Sequence, residues 1–182
     1  MKIYYTIILV VITTLHLEAQ NIYLCKDGRV DFISDAPLEL IKASSNEMLG
    51  AINIDDRTFS FRVRTRSFEG FNSSLQKTHF NEDYMESDQY PNSTFSGKII
   101  EEIDLSVPGT YNIRAKGKLT IHGVGIDRII RCQVFVGNPG IDVRSGFPVF
   151  LDDQRISIPT ILNQKISEEI QVKVNLSLKP QQ

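Results

Sequence analysis

The chain has no tryptophan, and only two cysteines, three histidines and three methionines in 182 residues. The cysteines, Cys25 and Cys132, form no C-x-x-C pair and stand at no Cys/His ligand spacing, which argues against a zinc module or a thioredoxin-like redox site. There is no G-x-S-x-G and no phosphate-cradling Gly-rich loop ending in Lys-Ser/Thr, so neither a nucleophile elbow nor a P-loop can be placed. A formal net charge of −2 gives no electrostatic reason to expect nucleic acid. The arginines of "FRVRTR" alternate as on a solvated strand face. Repeats, low-complexity runs and Pro/Gly linkers are missing as well, so one domain is the economical reading.

What is present begins with "MKIYYTIILVVITTL": one lysine, Lys2, then an apolar run from Ile3 to Ile12. That run is too short to span a bilayer and has the form of a secretory h-region. With cleavage expected after Ala19, residues 1–19 read as a signal peptide and residues 20–182 as a single domain without a transmembrane segment. Leu24 before Cys25 is too bulky for a lipoprotein signal. Export would place both cysteines in an oxidising compartment, where a Cys25–Cys132 disulfide is an option their long separation does not decide.

From Thr58 onward the dominant period is two. In "TFSFRVRTR", Phe59, Phe61 and Val63 oppose Ser60, Arg62 and Arg64. In "TYNIRAKGKLTIHG", Tyr111, Ile113, Ala115, Gly117, Leu119 and Ile121 oppose a polar set that ends in His122, in the outward phase. "DRIIRCQVFV" and "IQVKVNLSLK" continue the rhythm, with "GVGID" supplying hairpin glycines. Further upstream, "VDFIS", "LELIKAS" and "MLGAIN" read as short strands with "KDG" as a turn. Long one-sided strands need closure, and an antiparallel barrel removes their edges. The expected fold is therefore all-β, a barrel with one short amphipathic α-helix.

Gly97, Ala115 and Gly117 are small on the inward phase, where Phe59, Phe61, Phe95 and Tyr111 are large. Two explanations stand: a lumen left open for a long apolar guest, or tapered packing in a filled core. On the first, the wall comprises Phe59, Phe61, Phe95, Ile99, Tyr111, Ile113, Gly117, Leu119, Ile121, Val134 and Val174. Gly117→Leu would then obstruct the lumen without unfolding the barrel.

"NSSLQKTHFNEDYMES" breaks the rhythm and reads as a helix starting at the capping pattern Ser73-x-x-Gln76. His79, Glu82, Asp83 and Glu86 share one face, with Phe80 and Tyr84 on the other. A hydrolytic or metal-assisted site built on His79, Glu82 and Glu86 would need converging partners that the sequence does not supply, whereas a solvated helix face needs none. A ligand-free structural barrel is the third alternative.

Together, "SFEGFNSSL" with Phe68 and Phe71, "HFNEDYMES", "DQYPNSTFSGKI" and "GKLTIHGV" resemble the YceI-like family of exported polyisoprenoid-binding proteins. The resembling span runs from about Phe59 to Leu178, with Tyr90-Pro91 and Phe95 as its firmest anchor. The resemblance implies a lipocalin-like barrel enclosing a polyisoprenoid or other long-chain lipid, no catalytic residue, no cofactor beyond that lipid, and a periplasmic address, with secretion as the alternative. Head-group contacts and oligomeric state, a dimer included, stay open.

Overall fold

The structure, a computed structural model, describes residues 21–181, so the expected leader at 1–19 lies outside the described residues. Eight strands follow one another: β1 (Ile22–Asp35), β2 (Leu40–Asn53), β3 (Thr58–Arg64), β4 (Asn92–Ile99), β5 (Gly109–Ile121), β6 (Val124–Val136), β7 (Ile141–Phe150) and β8 (Glu169–Pro180). Each pairs antiparallel with its chain neighbour, and β8 closes on β1 to complete a barrel. Closure satisfies the edge hydrogen bonds that such long strands would otherwise expose.

The N-terminal region differs from its sequence reading. It forms two fourteen-residue strands, not several short ones. "KDG" is a bulge inside β1, where pairing with β2 slips on both sides of Gly28. The inward residues run Cys25, then Gly28, Val30 and Ser34, so the rhythm misses one beat. In β2 the same slip falls between Ser45 and Met48. A bulge adds a residue on one strand and reverses the facing of those beyond it, which is why alternation looked broken there.

The β5–β6 turn is also displaced from the expected "GVGID". It consists of His122 and Gly123, at φ of 50° and 72°. Positive φ at both central residues suits a tight two-residue hairpin.

Two seams of the barrel are thin, and β2–β3 is one, with five pairs. β6 and β7 share only the five pairs from Cys132–Ser145 to Val136–Ile141. Pro148 lies past this ladder and has no N–H to extend it. Side chains bridge instead: Arg128 Nη2 donates to the Pro148 carbonyl at 2.9 Å, and Ser145 Oγ to the Arg131 carbonyl at 2.8 Å.

The helix α1 (Ser74–His79) continues through Phe80–Tyr84 as a π-type turn. As expected, Ser73 is its N-cap, accepting the Gln76 N–H at 3.1 Å. The Gln76 side chain reaches back to accept the Asn72 N–H at 3.0 Å. Helix and preceding loop cover one end of the barrel, while Leu105, 1% exposed, plugs the other.

Candidate functional site

The inward side chains enclose a cavity of about 550 Å³, within the range of about 300–1,000 Å³ common for small-molecule sites. Its wall is overwhelmingly aliphatic and aromatic. Among the described residues, the polar groups on the strands are hydroxyls: Ser34, Ser93, Thr94 and Ser145. Charge gathers at the mouth, where Glu39, His79 and Lys165 stand with Gln76. The mouth lies between α1, through Leu75 and Gln76, and the loop after β7, through Leu162, Lys165 and Ile166.

Of the residues assigned to a lumen from sequence, Phe59, Phe61, Phe95, Ile99, Ile113, Leu119, Ile121, Val134 and Val174 line this cavity. Two do not. Tyr111 stands by the plugged end, its hydroxyl donating to the Val107 carbonyl at 2.9 Å. Gly117 pairs directly with Gly97 across β4 and β5, and a Cβ on it would lie 2.2 Å from the Ser96 carbonyl oxygen. The small residue there admits a neighbouring backbone and leaves no vacancy for a guest, so Gly117→Leu cannot act as a simple obstruction.

Sequence reasoning singled out Phe68, Phe71 and Phe80 but missed Phe32 and the roof the four rings form together. Phe32 of β1 lies with ring centroids 5.3 Å from both Phe68 and Phe80 and 5.9 Å from Phe71. These four rings close the cavity beneath the helix, and Phe68 is buried at 8% exposure. Phe32 alternates without interruption with Val30 and Ser34 in "VDFIS", beyond the β1 bulge, so the signal that would have placed it inward was present. Phe147 and Val149 also line the cavity, and the alternation of "IDVRSGFPVF" carried the signal that would have found them.

The acidic face divides into unlike parts. His79 Nδ1 meets Asp83 Oδ2 at 2.5 Å, both half-exposed. Glu86, at φ 41°, has left the helix and reaches His122 Nε2 at 2.7 Å. His122 is therefore not an outward strand residue: its side chain is 11% exposed, and its Nδ1 lies 3.2 Å from the Gln154 carbonyl. The buried Gln154 side-chain amide faces the carbonyls flanking this turn, and with its nitrogen placed toward them it donates to Ile121 at 3.0 Å and Val124 at 3.1 Å. Tyr90 packs its ring edge-on to His122, with centroids 4.7 Å apart. This pins the hairpin "TIHGV" to the "YP" segment. Among the described residues, no three His, Cys, Asp or Glu side chains converge as metal ligands would.

Cys25 and Cys132 are free thiols, which corrects the disulfide option. They sit on β1 and β6, and β7 and β8 intervene around the barrel. Burial pushes both thiols above their ordinary pKa, so little reactive thiolate forms near neutrality. Unreduced native protein is expected to alkylate slowly with iodoacetamide, and the same protein in denaturant to titrate two thiols with no reductant added. A requirement for reductant would contradict this arrangement.

An eight-stranded antiparallel barrel with an apolar lumen and a helical cover defines a lipocalin-like binding fold. The model of the YceI-like domain matches residues 28–178, and the chain belongs to that family. No curated protein sequence matches the chain. Among solved structures, a polyisoprenoid-binding domain from Saccharophagus degradans implicated in plant cell wall breakdown superposes with a TM-score of 0.75 at 16% identity, covering 90% of this chain and all of that one. BcnA of Burkholderia cenocepacia gives 0.68 at 16% identity, over 82% and 95% of the two chains. The YCEI protein of Campylobacter jejuni gives 0.56 at 18% identity, over the whole of both. At these identities the likeness concerns the fold.

Proposed function

We propose that this protein holds a long-chain isoprenoid or similar apolar lipid in its barrel, without catalysing its conversion, after export to the periplasm. The observation that carries the reading is the enclosed apolar cavity itself, with its charged groups confined to the mouth. Family membership and the polyisoprenoid-binding relative support it. Binding would be hydrophobic transfer: each buried methylene contributes about 0.8 kcal/mol, so a long chain is retained without directional contacts inside. The head would rest at the mouth, among Glu39, Gln76, His79 and Lys165. The enzyme alternative gains nothing from the geometry, because Glu86 is engaged with His122 and the His79–Asp83 pair faces water. A filled structural barrel does not fit an open lumen.

Native mass spectrometry of protein extracted from its own envelope tests the reading. A lipid adduct is expected on the wild type. Val174 lines the lumen but remains only half-buried, so its side chain faces the void. Val174→Trp should place an indole in that void and lower lipid occupancy about tenfold or more, since filling it replaces several methylene contacts. Wild-type protein that emerges lipid-free, or a Val174→Trp variant that carries lipid as the wild type does, would sink the proposal.

A further inference from the structure

Outside the barrel, the register assembles a second feature that lipid binding does not use. Across four strands, one row runs through Arg114, Arg131, Gly146 and Lys173: Arg114 pairs directly with Arg131, and Gly146 with Lys173. The adjacent row runs through Asn112, Gln133 and Arg144, again in direct register. These side chains rim a groove on the outer wall where the β6–β7 ladder ends. Gly146 makes it concave, because the row has no side chain at that point.

The charge is unbalanced. Glu101 is the one carboxylate lining the groove among the described residues, and it is taken up by Arg114, whose Nε donates to Glu101 Oε1 at 2.7 Å. Among the described residues, Arg131, Arg144 and Lys173 form no ion pair with a carboxylate. Two arginines directly opposite in a sheet repel each other, and such pairs destabilise it unless an anion lies between them. Arg144 rests its guanidinium 5.1 Å from the centroid of the Phe135 ring, at the edge of the groove away from Arg131, and would swing inward to reach an anion. The chain as a whole is acidic, at a formal −2, so this cationic groove stands against the average.

We propose that this groove is a binding site for a multivalent phosphate-type oxyanion, gripped by Arg131, Arg144 and Lys173, with Arg114, Asn112 and Gln133 as further donors. Guanidinium groups suit phosphate because their forked N–H donors match its oxygens two at a time. Oxygens of one diphosphate, or of a phosphomonoester on a larger molecule, can reach several of these donors at once. The groove lies across the barrel wall from the lumen, and Ile113, Cys132 and Ser145 border both.

Titration calorimetry with inorganic diphosphate, on the mature protein in low-salt buffer, is the test. Saturable binding that weakens as ionic strength rises is expected. Arg131→Gln combined with Arg144→Gln should weaken it about tenfold or more, because two charge-assisted contacts are lost. Gly146→Glu should do the same by placing a carboxylate in the groove. The fold tolerates a side chain there, since a Cβ on Gly146 meets only the Val172 carbonyl oxygen at 3.8 Å. Arg62→Gln, on the exposed face of β3, should change nothing. Cosedimentation with phosphatidate and with phosphatidylcholine vesicles separates the sources: selective association with phosphatidate assigns a lipid-borne phosphate, and diphosphate binding without it assigns a free anion. No saturable binding to either phosphate probe, or binding that survives both the double variant and Gly146→Glu, overturns the site.

Discussion

Gly117→Leu is expected to leave no stable barrel. The Cβ it introduces would lie 2.2 Å from the Ser96 carbonyl oxygen, 2.8 Å from the Ser96 carbonyl carbon and 3.1 Å from the Gly97 Cα. All three are backbone atoms of the paired strand, so no rotamer change relieves the contact. At Gly97 the situation is reciprocal, with the Lys116 carbonyl oxygen 2.1 Å from a Cβ. Overpacking a side-chain core costs about 1–3 kcal/mol because neighbours can shift. Here β4 and β5 must separate, and the loss should exceed about 4 kcal/mol, the range reserved for severe mechanisms. Even Gly117→Ala carries the offending Cβ and should lower the melting temperature by about 10 °C or more, taking roughly 2–4 °C per kcal/mol for a chain of this size. Gly146→Ala, with open space at its Cβ, serves as the control. Soluble yield and thermal unfolding by circular dichroism read the effect. A Gly117→Leu protein that melts with the wild type would mean that the strands are not apposed as described.

The second large effect concerns the roof. Phe68→Ala should destabilise the protein by about 3–5 kcal/mol, the usual cost of deleting a buried aromatic ring. Phe68 is buried and packs with Val30, Ala43 and Val63 as well as with the neighbouring rings. Phe80 lies on the helical cover and is only partly buried, so Phe80→Ala should cost nearer about 2 kcal/mol. Both variants should retain less lipid, because each removes part of the lid above the guest. Urea unfolding gives the order, and a cost for Phe80→Ala equal to or above that of Phe68→Ala would show that the helix, not the β3–α1 segment, holds the roof.

Strands β3 to β6 and β8 were legible because their inward residues alternate without interruption, from Phe59 and Phe61 through Leu119 and Ile121 to Val174 and Leu176. The same alternation located most of the cavity wall. β1 and β2 were legible only in pieces, as the short strands "VDFIS", "LELIKAS" and "MLGAIN", since each contains a phase slip that interrupts the alternation. The glycine pair misled for a related reason: sequence shows that Gly97 and Gly117 lack side chains but not what occupies the adjacent space, which is main chain. The helical face was read rightly as solvated, but Glu86 was misplaced on it because a three- and four-residue spacing assumes a continuous helix. Glu86 adopts a left-handed conformation and joins a hairpin that is distant in sequence. The roof required knowing that residues 32, 68, 71 and 80 meet, a fact of topology that no local pattern encodes.

The junction of β1 with β8 bears on the order in which this molecule can be made. It pairs Tyr23 with Pro180 and Ser34 with Ile170, so the contacts that close the cylinder join the first and last strands of the barrel, well over a hundred residues apart. Contacts so remote in sequence carry the largest loop-closure entropy and slow the search for the native state. Hairpins such as β5–β6 can form as soon as they are synthesised, yet none can bury its apolar side until the last strand arrives. A nascent chain without β8 is therefore an open, sticky sheet with two free margins, vulnerable to aggregation. Completion of the barrel is a late, all-or-none event that waits for the twelve residues of β8.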